Sequence, residues 1–118
     1  MPVHTERMSL VDTAWWRMDN DVNLMMIVGV WLMQPGISHA ALCERVTAKL
    51  LQYERFRQKV VQDVAGPSWV PDENFDVHRH VVHERLHGKR GQSERQALQA
   101  RAGELASTPL DLAHPLWQ

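Results

Sequence analysis

Phe56-Arg57-Gln58-Lys59-Val60-Val61-Gln62-Asp63-Val64, followed by Ala65-Gly66-Pro67-Ser68 and then Trp69-Val70-Pro71, is the stretch on which the fold class turns. Phe56, Val60 and Val64 fall on one face of an extended chain, with Val61 breaking the alternation. Ala65 to Ser68 supply turn chemistry, since glycine tolerates unusual backbone angles and proline fixes its own. The stretch therefore predicts a β-hairpin. Its return strand, Ser68 to Val70 closed by Pro71, is expected to be short and to lie at a sheet edge, because proline cannot donate to a ladder.

Working toward the N-terminus, Ser38 is placed to cap a helix in which Leu42, Val46 and Leu50 recur every four residues, with Leu51 widening the stripe. Glu44, Arg45, Lys49 and Gln52 supply its wet side. Before it, the apolar run Leu24 to Met33 contains Ile27, Val28, Val30 and Trp31 and is closed by Pro35-Gly36, which predicts a buried core strand. Asp19, Asn20, Asp21 and Asn23 separate that run from a short helix capped by Ser9, with Asp12 near the positive end of its dipole and Trp15, Trp16 and Met18 along it.

Toward the C-terminus, Phe75 to Leu86 reads as a further extended segment, with Val77 and Val81 on one face and Val82 on the other. Ser93 and Gln96 make a capping box that opens a helix with Leu98, Ala102 and Leu105 as its buried stripe, ended by Pro109. Pro115-Leu116-Trp117 resembles the start of another strand. Helices and strands alternate, so the fold class is α/β.

Composition narrows the function. The 118 residues are 44% hydrophobic and 23% charged, the mixture of a globular protein, with a formal net charge of −1. No overall field exists to attract nucleic acid, and no nucleic-acid partner is expected. The single cysteine, Cys43, excludes an internal disulfide, fits a reducing cytoplasm and reads as a small apolar residue. Met1 to Leu10 carries His4, Glu6 and Arg7 where a secretory leader needs apolar residues. The Leu24–Met33 run is about half of the roughly 20 residues needed to span a bilayer, so no transmembrane helix is expected.

Several side chains invite a sharper reading. His78, His80, His83 and His87 lie close together, and on a strand His78 and His80 would share a face. No cysteine or carboxylate pair nearby completes a familiar ligand pattern, so they read as a solvated strand and no metal site is assigned. His114 has no Ser, Cys or Asp partner identifiable by sequence and reads as a loop residue. Met25, Met26 and Met33 read as core, with a lipid-lining role as the alternative.

Taken in order along the chain, these segments resemble the bacterial wax ester synthase/diacylglycerol acyltransferase family. Met8-Ser9-Leu10-Val11-Asp12-Thr13-Ala14-Trp15 is similar to its N-terminal signature, with Leu10 where a proline is common. Asn23-Leu24-Met25-Met26-Ile27, Arg55-Phe56-Arg57-Gln58-Lys59-Val60-Val61, Trp69-Val70 with Asp76, Ser107-Thr108-Pro109-Leu110-Asp111 and Pro115-Leu116-Trp117 follow in register. Ser9, Asp12, Trp15, Pro115, Leu116 and Trp117 are thus family-motif residues, and their expected role is structural.

The resemblance implies a two-domain fold of the chloramphenicol acetyltransferase type, of which residues 1–118 are an incomplete N-terminal part ending before the catalytic His-His-x-x-x-Asp-Gly motif. It implies acyl transfer from acyl-CoA, the co-substrate, to diacylglycerol or a long-chain alcohol, with a motif histidine as base and no metal. No catalytic residue is assigned within these residues, and the chain alone is expected to be inactive. The implied partners are the remainder of the acyltransferase chain, acyl-CoA and a neutral-lipid acceptor. Trp15 and Trp16 read as buried against the sheet, with peripheral contact with membrane or a lipid droplet as the alternative. Lys89-Arg90 with Arg85 and Arg95 reads as a solvated charged face, with coenzyme A phosphates as the alternative contact. A non-catalytic binding or oligomerisation module built on the same half-fold is the rival function, and a condensation-type enzyme acting on carrier-bound peptides is a weaker third.

Overall fold

A computed structural model describes residues 5–118. Of the stretch Met1 to Leu10 on which the leader question turns, residues 1–4, His4 included, lie outside the described residues. The elements are β1 (Glu6–Arg7), α1 (Leu10–Met18), α2 (His39–Lys49), a 3-10 turn (Glu54–Arg57), β2 (Gln58–Asp63), β3 (Gly66–Pro71), α3 (Val77–His80) and α4 (Glu94–Ala106).

Each long helix starts where the sequence places a cap. Ser9 Oγ accepts from the Asp12 N–H at 3.1 Å, Ser38 Oγ from the Ala41 N–H at 3.1 Å, and Ser93 Oγ from the Gln96 N–H at 3.1 Å. The Gln96 side chain returns to the Ser93 N–H at 2.9 Å, completing the box.

The hairpin forms with its turn slightly earlier than expected. Asp63 pairs with Gly66, leaving Val64-Ala65 as a two-residue loop. Gly66 sits at φ +119°, a conformation that side chains with a Cβ rarely adopt, which is why the return strand begins on a glycine. Val64 therefore projects from the loop and is fully exposed instead of continuing the Val60 face.

The return strand is central, not at an edge, because the sheet order is β1-β3-β2. Glu6 pairs with Trp69 and Arg7 with Ser68, between the two prolines of β3, and the Met8 N–H donates to the Pro67 carbonyl at 3.1 Å. Proline removes a donor but keeps its acceptor, so a two-residue partner fits there. Arg55 fastens this edge, donating to Glu6 Oε2 at 3.0 Å while its guanidinium lies 4.3 Å from the Trp69 ring centroid.

Three expected strands are absent, among them the one expected to start at Pro115-Leu116-Trp117, which carries no strand. Leu24 to Met33 makes no ladder among the described residues, and Ile27 and Trp31 are 98% and 84% exposed. β-Propensity produces a strand only where an edge is available for pairing, and neither sheet edge takes up this run. Phe75 to Leu86 is not extended throughout either. The Asp76 side chain accepts from the His78 N–H at 2.9 Å and Val81 N–H reaches the Val77 carbonyl at 2.8 Å, so a local cap turns Val77–His80 into one helical turn.

The molecule is a thin plate of 53 × 34 × 21 Å, and a plate buries little. Among the described residues, buried apolar side chains include Met8, Cys43, Val60, Pro67, Val81, Ala97 and Pro115, accompanied by buried Thr13, Gln58, Ser68, Asp72 and His80. Burial of Trp15, Met33 and Leu105 was expected; each is exposed, because no element covers the outer faces they occupy. No helix among the described residues is long and apolar enough to cross a membrane.

Candidate functional site

Pro115-Leu116-Trp117 docks on the base of the hairpin. Pro115 is buried, and the Trp117 Nε1–H donates to the Phe56 carbonyl at 2.8 Å. The indole stacks on His80 at 4.4 Å between centroids and meets Phe56 edge-on at 6.0 Å; Phe75 stacks on His80 at 5.2 Å. His80 Nδ1 lies 2.6 Å from the Trp117 carbonyl. A carbonyl only accepts, so Nδ1 carries the proton and donates. His80 Nε2 is then buried and without a hydrogen-bond partner.

Beside this stack, His114 Nδ1 lies 3.0 Å from Asp72 Oδ2, with the Asp72 side chain 1% exposed. Asp72 Oδ1 accepts from the Asn74 N–H at 3.0 Å, and the Asp72 N–H donates to the Arg57 carbonyl at 2.9 Å. Burial alone raises the Asp72 pKa, but the hydrogen bonds from His114 and Asn74, with the charges of His114 and Lys59, together hold it below the usual carboxylate range. Arg79 donates to the Asn74 carbonyl at 3.0 Å and passes 3.2 Å from His114 Nδ1. The aspartate that sequence reading could not pair with His114 is thus Asp72, separated by 42 residues.

A histidine oriented by a carboxylate is the arrangement of a general base. Here the far nitrogen, Nε2, faces the Asp111 carboxylate at 3.9 Å, with no hydroxyl or thiol to activate among the contacts of the pair. The pair ties Asp111–His114 to the end of β3 and so fixes the approach of Pro115.

The histidines that sequence reading placed on one strand face are divided between two sites. His80 joins Trp117, whereas His78 turns toward α2, where its Nδ1 lies 3.8 Å from Cys43 Sγ. His39 Nε2 lies 3.5 Å from the same sulfur and 2.7 Å from the Val81 carbonyl, and its ring stacks on His83 at 5.5 Å. Only the four-residue spacing of His39 and Cys43 hinted at this in the sequence. Lys89 and Arg95 remain exposed at the mouth of an open cleft that Leu32, Leu86 and Ser93 also line. Of the motif residues, Ser9 and Asp12 form the α1 cap and Trp15 lies on that helix, 52% exposed, while Pro115, Leu116 and Trp117 form the junction.

The family model described as wax ester synthase/diacylglycerol acyltransferase catalytic domain matches residues 8–118. The chain belongs to this family. It is 34% identical over 119 aligned positions to a Mycobacterium tuberculosis protein (strain CDC 1551 / Oshkosh) named a probable diacylglycerol O-acyltransferase. The same holds for the protein of that name in strain ATCC 25618 / H37Rv. These matches cover 95% of this chain and 42% of each relative, so the chain spans less than half the length of the curated relatives. No solved structure matches it. Within this wax ester synthase/diacylglycerol acyltransferase domain, the matched residues extend from the α1 cap to the docked Pro115-Leu116-Trp117.

Proposed function

We propose that these residues form the N-terminal framework of an O-acyltransferase of the chloramphenicol acetyltransferase type, which moves an acyl group from acyl-CoA to diacylglycerol or a long-chain alcohol. The acceptor oxygen attacks the thioester carbonyl, a histidine base takes the hydroxyl proton, and that proton leaves on the coenzyme A thiol. The base belongs to the family's His-His-x-x-x-Asp-Gly motif, which these residues do not contain: the seven histidines include no adjacent pair.

The observation that carries this reading is the family match over residues 8–118, together with the docking of its Pro-Leu-Trp segment against His80 and Phe56. Asp72, His114 and Trp117 hold the junction in place, and the chain alone does not catalyse. The remainder of the acyltransferase covers the apolar surface of the Leu24–Met33 run, where Ile27, Trp31 and Leu32 stand out. Acyl-CoA and a neutral lipid are its other partners. The protein works in the cytoplasm, with Trp15 available for peripheral contact with the inner membrane or a lipid droplet.

The test is transfer of radiolabelled acyl groups from acyl-CoA to diacylglycerol and to a long-chain alcohol, by the product of the whole reading frame and by residues 1–118 alone. Triacylglycerol or wax ester from the first and none from the second is expected. Ester formed by residues 1–118 alone would overturn the framework role. A reading frame without the motif, or one whose product transfers to neither acceptor, would overturn the acyltransferase reading.

A further inference from the structure

Three side chains that acyl transfer does not use meet between α2 and α3. His39 and Cys43 stand four residues apart on α2, so their side chains share a face, and His78 arrives from α3. Cys43 Sγ lies 3.5 Å from His39 Nε2 and 3.8 Å from His78 Nδ1, and one ligand atom of each residue lies within 4.8 Å of the other two. A zinc ion held tetrahedrally, at about 2.3 Å from sulfur and about 2.0–2.1 Å from nitrogen, sets neighbouring S and N ligands about 3.5 Å apart. The two separations here match the edges of that tetrahedron. Cys43 is buried while His78 is exposed, so the group has a packed base and an open side through which an ion can enter.

We propose that His39, Cys43 and His78 bind Zn2+ and that the ion staples α2 to α3. A thiolate with two imidazoles is a borderline-soft donor set, suited to zinc and ill-suited to magnesium or calcium. His83, exposed and with its ring stacked at 16° to His39, is placed to swing in as the fourth ligand. On binding, the Cys43 thiol loses its proton to solvent. His39 Nε2, which reaches the Val81 carbonyl at 2.7 Å, gives up that hydrogen bond. Its proton moves to Nδ1, so that the Nε2 lone pair faces the ion, and His78 offers the lone pair of Nδ1. The site is independent of acyl transfer.

The test is metal binding by the purified chain, with no activity in the readout. Titration with Co2+ as a spectroscopic probe is expected to give one ion per chain, a thiolate-to-cobalt charge-transfer band and the intense visible bands of four-coordination, all displaced by Zn2+. Cys43→Ser removes the charge-transfer band. His78→Ala, at an exposed position where little packing is lost, weakens Zn2+ binding by more than the roughly tenfold to hundredfold that outer-shell partners cost. His87→Ala, exposed and outside the group, leaves affinity unchanged. Absence of binding, a cobalt spectrum without the thiolate band, or unchanged Zn2+ affinity in Cys43→Ser and His78→Ala would each overturn the site. So would equal weakening by His87→Ala, which marks adventitious surface binding. Far-UV circular dichroism of His78→Ala, expected to match the parent, keeps loss of folding separate from loss of a ligand.

Discussion

Truncating Trp117 to alanine should loosen the junction more than its half-buried position suggests, because three interactions end on this side chain. The indole stacks on His80 at 4.4 Å, meets Phe56 edge-on at 6.0 Å and donates to the Phe56 carbonyl at 2.8 Å. A fully buried Trp→Ala change costs about 3–5 kcal/mol, so a half-buried ring accounts for about 2 kcal/mol. The lost hydrogen bond adds about 1 kcal/mol, and the aromatic geometry about 0.5–1.5 kcal/mol. Trp117→Ala is therefore expected to destabilise by about 3.5–4.5 kcal/mol, a large part of the roughly 5–15 kcal/mol that holds a domain together. Trp117→Phe keeps a ring on His80 and loses the N–H donor, and is expected to cost about 1–2 kcal/mol. Urea unfolding followed by far-UV circular dichroism reads both, with the alanine variant's midpoint lower by about 1–4 M. A midpoint within about 0.2 M of the parent, well inside the shift such slopes predict, would refute the reasoning. Equal losses in both variants would show that the donor, and not the stack, holds the junction.

The carboxyl of Asp72 has its pKa lowered in the folded protein, so the native state binds fewer protons and gains stability above the unfolded value of about 4. That gain disappears as pH falls from about 4 through the lower folded value. Melting temperatures of Asp72→Asn should decline less steeply below pH 4 than those of the parent, and parallel acid slopes would sink the idea. Ser9→Ala and Ser93→Ala each remove an N-cap and should cost about 1 kcal/mol by urea unfolding; losses under about 0.3 kcal/mol, below the range for such caps, would show that the caps contribute little. Replacing Ile27, Trp31 and Leu32 together by serine should cut binding of an apolar dye without moving the urea midpoint, since all three are more than four-fifths exposed. A clear fall in the midpoint would place them in a core.

What could be read directly was local. The caps at Ser9, Ser38 and Ser93 are each satisfied three residues along the chain, so residue type and spacing carry all the information needed. The hairpin was legible for the same reason, since Gly66 and a two-residue loop bring β2 and β3 together with little help. The same logic failed at Leu24 to Met33. Its composition favours a strand, but a strand exists only beside another, and no local signal reports whether an edge is available.

By itself the sequence determined that helices and strands are mixed, the capped helix starts, the hairpin and, through the ordered motifs from Met8 to Trp117, the family. Tertiary structure decided that β3 is central, that Asp72 holds His114 across 42 residues and that Trp117 reaches Phe56 across 61. It also brought His78 to Cys43 across 35 residues and so made a ligand group out of residues that looked unrelated. A contact between neighbours costs little chain entropy to close and is encoded where it forms. A contact between distant residues forms only when the packing of everything between them has already offset the cost of closing the loop, and no short stretch of sequence records that sum.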